Sequence, residues 1–496
     1  MSKIALKSFL VYGIGSIARS GISFFLLPLY LKSFDASQYG VLAILTVIMS
    51  LSTIFVNAGV ISGLFRLYYD AGKEEKKELL GATWFWYFLG GIVVSIILLG
   101  YSPQLSKYFF KTLIYSKALQ YLGIFMMIRF LIEIPFTILR LENKSVHYVS
   151  FSIVQIILEV LLKIIFIAYL GRGISGYYES GVIAGIILLF GLLPFTFKYV
   201  RLNLNIIHYK NLIKLGAPFI LSSIAVWVLT ISDRIILNYF HGSSEVGIYS
   251  LADKFASIFN IVLFRPSALF WAPFFFSFAS NNKTAEIKKL LNNSLRHFIL
   301  LGSIVYLLIV LGYKDILYIL VNSFGAKPEY LLSLNLIPIL TIAPFLYLLS
   351  RQAGYALLYI KKPIFAAITS CIAAIANIIL NIILIPYFKA MGAAIATIIA
   401  YIIYEVIIYL ISQRKYKVEY NWFVFLRILI YLILSFLVGG MIDIKLNILS
   451  LFIKEIIGIG LFISLIYYDR SIIIPEEKNK IRNKVNKILY EKSRSI

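Results

Sequence analysis

The chain has 496 residues, 60% of them apolar and 14% charged, with a formal net charge of +24 and a mean hydropathy of +0.89. A soluble domain is about 45–50% apolar and about 25% charged, so no soluble fold hides this much apolar surface and the bilayer must be the solvent. The single cysteine, Cys371, excludes an internal disulfide and a cysteine metal site. The four histidines, His147, His208, His241 and His297, lack ligand spacing.

A spanning helix needs roughly 20 apolar residues, because the hydrocarbon core is about 30 Å thick and each residue rises about 1.5 Å. Runs of that kind fall at 9–31, 39–63, 82–101, 118–139, 148–170, 179–197, 215–240, 246–272, 297–313, 331–359, 363–386, 390–411, 422–441 and 449–468, which makes fourteen. The first carries Arg19 mid-run and lacks a small-x-small cleavage site, so it reads as a span and not as a removable signal. The connections are short, which leaves no room for a soluble domain. The expected fold class is therefore an all-α polytopic membrane protein.

Loop charges orient the chain. With the N-terminus in the cytoplasm, inner segments hold 29 Lys and Arg and outer loops hold 9, the bias expected of cytoplasmic loops. Both termini are then inside. The basic excess becomes a topology signal and an attraction to anionic lipid, and nucleic-acid binding is disfavoured. The tail beyond Glu476 alternates basic residues with Ile481, Val485, Ile488 and Leu489 at helical spacing, which suits either a surface-lying helix or a solvated basic tail.

An internal repeat supports a two-lobe organisation. Ser37-Gln38-Tyr39-Gly40-Val41 opens span 2, and Ser244-Glu245-Val246-Gly247-Ile248 opens span 8, 207 residues later. Transporters are often built from paired bundles with the substrate site between them. The expected divisions are residues 1–208 with spans 1–6, 209–412 with spans 7–12, 413–468 with spans 13 and 14, and a basic tail, 469–496.

Ionisable residues inside the spans point to function. Cations are Arg19, Arg129, Lys163, Arg234, Lys254, Arg265 and Arg351; anions are Glu133, Glu159, Asp233, Asp253 and Glu405. Each costs about 3 kcal/mol at mid-helix facing lipid, so they must face one another or a wet cavity. Arg129–Glu133 and Glu159–Lys163 stand i,i+4 and are expected to pair locally. Asp233-Arg234 and Asp253-Lys254 are sequence neighbours pointing about 100° apart, and are expected to neutralise each other poorly. Arg427 and Lys454 are expected to snorkel. The cation excess implies an anionic substrate, since guanidinium suits phosphate or carboxylate. The carboxylates, including Glu133 and Glu159, are candidates for binding a coupling Na⁺ or proton. Pro28, Pro135, Pro218, Pro266, Pro273, Pro338 and Pro344 are candidate bends, and Asn377 and Asn381 read as interhelical glue.

Three motifs carry a family resemblance: Lys214-Leu215-Gly216-Ala217-Pro218 opening span 7, Asp233-Arg234 late in it, and Val246-Gly247-Ile248-Tyr249-Ser250-Leu251-Ala252 opening span 8. Arg19 and the Pro28-Leu29-Tyr30 exit of span 1 fit the same pattern. The chain resembles the polysaccharide-biosynthesis (Wzx-type) flippases of the multidrug/oligosaccharidyl-lipid/polysaccharide exporter superfamily. The resemblance implies two six-helix lobes plus spans 13 and 14, in a MATE-like fold in a bacterial cytoplasmic membrane. It implies movement of undecaprenyl-diphosphate-linked oligosaccharide between leaflets by alternating access, driven by an ion gradient, with no cofactor. Partners would be membrane lipids and the polysaccharide polymerase and chain-length machinery. Arg19, Arg129 and Arg234 are then first candidates for the diphosphate or a sugar acid, Lys254, Arg265 and Arg351 second, and Asp233 and Asp253 candidates for coupling.

The rivals are a drug/Na⁺ antiporter, which wants an acidic site, and a membrane polymerase or glycosyltransferase, which wants large outer loops with catalytic acids. Here the outer connections carry only Asp315 and Glu329. A lipid II flippase is not separated by these motifs. No Gly-Lys-Ser/Thr nucleotide loop is present, which excludes an ATP-driven pump.

Overall fold

The structure, a computed structural model, describes residues 21, 24–201, 206–264, 267, 271, 274–279, 283–442, 448–469 and 471–472. Most of the expected first span lies outside the described residues, as do Arg19, Arg265, Pro266, Pro273 and the tail beyond residue 472.

All regular structure among the described residues is helical. The α-helices are α1 (Leu27–Ser33), α2 (Ala36–Asn57), α3 (Val60–Tyr68), α4 (Lys73–Gly100), α5 (Ser102–Phe110), α6 (Ser116–Leu141), α7 (Ser145–Lys163), α8 (Gly173–Tyr199), α9 (Ile206–Ile231), α10 (Asp233–Ala256), α11 (Thr284–Asn322), α12 (Ile337–Tyr359), α13 (Ile364–Lys415), α14 (Trp422–Gly440) and α15 (Ile448–Tyr468). Ten stretches are long and apolar enough to cross a membrane, or eleven with the pair Pro328–Asn335 and Ile337–Tyr359, bent by 49° beside Pro338. Two of these stretches hold two expected spans each. Gly242 (φ 79°) breaks one, Ile220–Phe264, and Lys389 (φ 52°) breaks the other, α13. The architecture is consistent with fourteen crossings. Exposed Ile433, Leu437, Ile456 and Ile463 on α14 and α15 give those helices the apolar outer faces that lipid requires.

Helices α4, α6, α7 and α8 pack on one another with α2 at their edge, forming a first lobe. Helices α9 to α13 form a second, and α14 and α15 lie against α11. The lobes meet in two close crossings. At one end α2 meets α10 through Gly40 and Gly247. A Cβ at Gly40 would lie 1.7 Å from the Ser243 carbonyl oxygen, and one at Gly247 would lie 1.8 Å from that of Ala36. The contact is reciprocal, each glycine facing the carbonyl one turn before the other. The two glycines are the repeat glycines of the sequence. At the other end Gly59 (φ 73°, between α2 and α3) meets Gly216 of α9 in the same reciprocal way, with Cβ positions 2.1 and 2.3 Å from the opposing carbonyl oxygens. Gly40 and Gly59 are 19 residues apart, about 28 Å of helix. The two crossings thus stand about one hydrocarbon core apart.

Polar contacts reinforce each crossing. Near Gly40, Asp35 and Gln38 form a capping box at the start of α2. The Ala36 N–H donates to Glu329 Oε1 at 2.5 Å, and Tyr330 Oη donates to the Phe34 carbonyl at 3.0 Å. Toward Gly59, Trp227 Nε1 donates to Ser50 Oγ at 2.8 Å, and His208 Nε2 lies 3.2 Å from Glu78 Oε2.

Candidate functional site

Between the crossings lies a cavity of about 600 Å³. The first lobe contributes Tyr39, Thr46, Glu159, Lys163 and Tyr177, and the second contributes Thr230, Arg234, Asp253, Lys254 and Asn260. A side pocket of about 260 Å³ adjoins it in the first lobe and shares Thr46, Glu159, Lys163 and Tyr177 with it. A second side pocket of about 220 Å³ adjoins it in the other lobe and shares Thr230, Asp253, Ser257 and Asn260. The three spaces form a row across the lobes, with charged side chains at each partition.

At the first partition Lys163 Nζ donates to Glu159 Oε2 at 3.2 Å, and Gln155 Nε2 donates to Glu159 Oε1 at 3.0 Å. The expected Glu159–Lys163 spacing thus forms a pair. Lys163 also lies 4.5 Å from the Tyr177 ring centre, a cation–π contact. The helical ladder changes to π spacing immediately after Lys163, over Ile164–Tyr169. Tyr177 packs on Tyr30 at 5.7 Å, so aromatic faces line this side.

At the second partition the structure corrects the sequence reading. Asp233 and Arg234 do neutralise each other: Arg234 Nη1 donates to Asp233 Oδ1 at 3.1 Å and to the Thr230 carbonyl at 3.0 Å. Its Nη2 donates to Asp253 Oδ2 at 2.7 Å. Both residues belong to α10 and Ser232 before them keeps helical dihedrals (φ −64°, ψ −26°), so the 100° offset stands; the long Arg234 side chain bridges it by folding back toward Thr230. The turn at Gly242 then folds Asp253 back beside Arg234. Tyr249 Oη donates to the other oxygen of Asp233, so that carboxylate is fully engaged. Arg234 is therefore a satisfied guanidinium held in an acidic clamp within one lobe. Lys254 lies at the cavity wall with its ammonium 5.5 Å from the Phe24 ring centre.

The Arg129–Glu133 pair is also corrected. Glu133 takes Arg140, two turns on, at 3.4 Å. Arg129 Nη1 instead points to Met49 Sδ at 3.2 Å, and Arg129 is exposed although it sits at the middle of α6, because it lines the first side pocket. Arg351 lines none of the three spaces; it donates to Ser267 Oγ at 2.5 Å and stacks 5.6 Å from Phe264. Arg19 and Arg265 lie outside the described residues. Asn381 Nδ2 donates to Asn377 Oδ1 at 3.0 Å with both residues fully buried, so, contrary to expectation, their bond stays within α13 and does not join it to another helix.

Three features escaped the sequence reading. Lys454 does not snorkel: it is buried and donates to Asp315 Oδ2 at 3.0 Å, with Asp315 fully buried, joining α15 to α11. Arg427, by contrast, is exposed and pairs with Asp469 at 3.3 Å. Glu455, beside Lys454, is a further anion within a span; a Cβ at Gly312 would fall 2.8 Å from its Oε1. Finally, an apolar groove of about 670 Å³ runs along α14 against α11, α12 and α13, lined by Tyr306, Phe345, Leu429, Leu432 and Phe436. Glu405 faces this groove, away from the charged row, with Oε2 buried and unbonded. Adjacent hydropathy could have flagged Lys454, since it lies inside an apolar run; nothing in the sequence pairs it with residue 315.

Comparison with known proteins places this arrangement. The sequence pattern of a family described as polysaccharide biosynthesis protein matches residues 34–325. Protein 1 of the Lsg locus of Haemophilus influenzae is 22% identical over 362 residues, covering 70% of this chain and 84% of that protein. A relative from Haloferax volcanii, named a probable low-salt glycan biosynthesis flippase, Agl15, is 26% identical over 214 residues, 43% of this chain and 44% of its own length. Among solved structures, the lipid II flippase MurJ in an inward closed conformation superposes with a TM-score of 0.73 at 19% identity, covering 94% of this chain and 98% of that one. An inward-facing MATE multidrug transporter of the MOP superfamily superposes with a TM-score of 0.65 at 16% identity, covering 82% and 94%. The fold is that of these multi-pass membrane transporters.

Proposed function

We propose, from the premise that this chain belongs to the polysaccharide biosynthesis protein family, that it is a flippase for an undecaprenyl-diphosphate-linked oligosaccharide in a bacterial cytoplasmic membrane. The observation that carries this reading is the row of three charge-lined cavities, one between two lobes that touch at both ends and one within each lobe, with charges from both lobes facing the central one. Such a chamber holds a hydrophilic head group at mid-membrane and can release it at either end as one crossing opens. The isoprenoid stays in lipid or lies in the apolar groove along α14. In the central cavity Lys163, Arg234 and Lys254 face the diphosphate, with Arg234 the least available because two carboxylates already hold it. Asp253 and Asp233 are the carboxylates placed to trade Arg234 for a coupling Na⁺ or proton. Glu159 is placed to do the same with Lys163, whereas Glu133 lies deeper in the side pocket. Both termini are cytoplasmic on this reading, and polymerase and chain-length proteins are the downstream partners.

The test is depletion of the protein in cells, followed by mass spectrometry of lipid-linked sugars and staining of surface polysaccharide. Accumulated oligosaccharide-diphospholipid with loss of the surface polymer is expected. An intact polymer with no accumulation overturns the reading. Accumulated lipid II identifies the peptidoglycan precursor as the cargo instead.

A further inference from the structure

We infer that the first lobe's side pocket is a recognition subsite for a single acidic sugar, whose carboxylate is gripped by Arg129. The inference rests on the flippase reading and adds a chemical class of head group to it.

Four charged side chains line this pocket: Arg129, Glu133, Glu159 and Lys163. Glu159 is engaged by Lys163 and Gln155, and Glu133 by Arg140. Arg129 is left over. Its one hydrogen-bond acceptor among the described residues is a thioether sulfur, a weak acceptor. A guanidinium carries five donors in a planar fork and is seldom left so poorly met inside a membrane without a functional reason. With Arg140, outside the pocket, counted as the partner of Glu133, one positive charge is left over, and it is presented as a fork that a carboxylate fills bidentately.

Size and position favour a sugar acid over the diphosphate. The pocket has about 260 Å³, roughly nine waters at about 30 Å³ each, enough for one pyranose ring with little hydration. It is reached from the central cavity past the Glu159–Lys163 pair, shared by both spaces. A diphosphate is tethered to the lipid and carries more charge than one guanidinium balances. The free end of the glycan has neither restriction. Gln155 and Thr46 supply polar groups beside the fork for sugar hydroxyls.

The experiment is saturation-transfer NMR on the full chain in lipid nanodiscs, with D-glucuronate, D-glucose and inorganic pyrophosphate as separate probes at matched ionic strength. Saturation transfer reads glucuronate and glucose directly; phosphorus line broadening reads pyrophosphate. Glucuronate is expected to bind at least tenfold more tightly than glucose, and pyrophosphate is expected not to displace it. Arg129→Gln is expected to abolish the preference. Arg129→Lys keeps the charge but loses the fork and should reduce the preference about threefold without abolishing it, which keeps the test open if the glutamine variant does not insert. Equal binding of glucose and glucuronate, or an unchanged preference in both variants, overturns the inference. Loss of pyrophosphate binding in Arg129→Gln also overturns it, because the guanidinium then serves the phosphates. Failure of wild-type protein to bind pyrophosphate, with glucuronate bound, instead counts against the diphosphate site of the flippase reading and leaves this subsite standing.

Discussion

Adding one methyl group at Gly247 should force the lobes apart at one end of the cavity. The alanine Cβ would sit 1.8 Å from the Ala36 carbonyl oxygen and 2.8 Å from its carbon. A comfortable C···O approach is about 3.3 Å, so α2 and α10 must separate there by about 1.5 Å. Backbone atoms form the obstacle, and no rotamer change relieves it. Overpacking of this kind costs about 1–3 kcal/mol, charged only to states in which this crossing is closed. The equilibrium toward opening at this end should therefore shift by roughly 5–150-fold. Gly40→Ala should do the same, because its Cβ would lie 1.7 Å from the Ser243 oxygen. The pair should be less than additive, since the first separation makes room for the second methyl. Gly440→Ala, with nothing within 4 Å of its added carbon, is the control. The assay uses a Cys371→Ser background with Thr46→Cys in the central cavity, in vesicles of known sidedness, and measures labelling by an impermeant maleimide from each side. Labelling from the side nearest Gly40 should rise about tenfold in either glycine variant and stay level in the control. Equal rates in all three would refute the argument that these crossings hold the cavity shut.

Other expectations follow from the ion pairs. Lys454→Met should lower the thermal midpoint in detergent markedly, because it strands the fully buried Asp315, a loss of about 3–5 kcal/mol. Adding Asp315→Leu should recover most of it. Asp253→Asn should remove one of the two carboxylates on Arg234, so in a reconstituted transport assay the dependence on a Na⁺ or proton gradient should weaken while insertion is normal; full retention of that dependence would take Asp253 out of coupling. Glu133→Gln should leave glucuronate recognition in place, since Arg140 and not Arg129 is its partner, and a strong effect on binding would show the two cations sharing it.

The Gly40 and Gly247 repeat and the Glu159–Lys163 pair were legible in the sequence, whereas the Gly59 crossing and the other charge pairings were not, for a physical reason. Helix length and apolar content fix the spans, because each run must match one bilayer thickness. The Tyr39-Gly40 and Val246-Gly247 repeat marks equivalent positions, and close approach of two backbones demands glycine there. Ion pairs depend on which helices are neighbours. Glu133 has Arg129 at i−4 and Arg140 at i+7, and helix geometry favours the former; the open pocket beside Arg129 and the reach of the Arg140 side chain reverse the choice. Arg234 finds Asp253 only because Gly242 turns the chain back on itself. Lys454 finds Asp315 across 139 residues. An apolar run reveals that a charge is buried, whereas its partner belongs to the tertiary fold.

The distribution of those pairs bears on how the lobes move. Glu159–Lys163 stays within the first lobe, and Asp233–Arg234–Asp253 stays within the second. Among the described residues no ion pair bridges the central cavity; across the lobes a His208 ring nitrogen meets the Glu78 carboxylate near one end, and the Ala36 N–H donates to the Glu329 carboxylate near the other. Separating two buried charges costs several kcal/mol per ion, and a carrier that had to break such pairs in every cycle would face that cost each time. Here the lobes part by breaking glycine contacts and a few hydrogen bonds, such as Trp227 to Ser50 and Tyr330 to Phe34, worth about 0.5–1.5 kcal/mol each. The charged partitions can then travel intact with their lobes. On the proposed function, a head-group anion would compete for Lys163 at one partition and a coupling cation for Asp253 at the other, so that both would act on the charge balance facing one cavity.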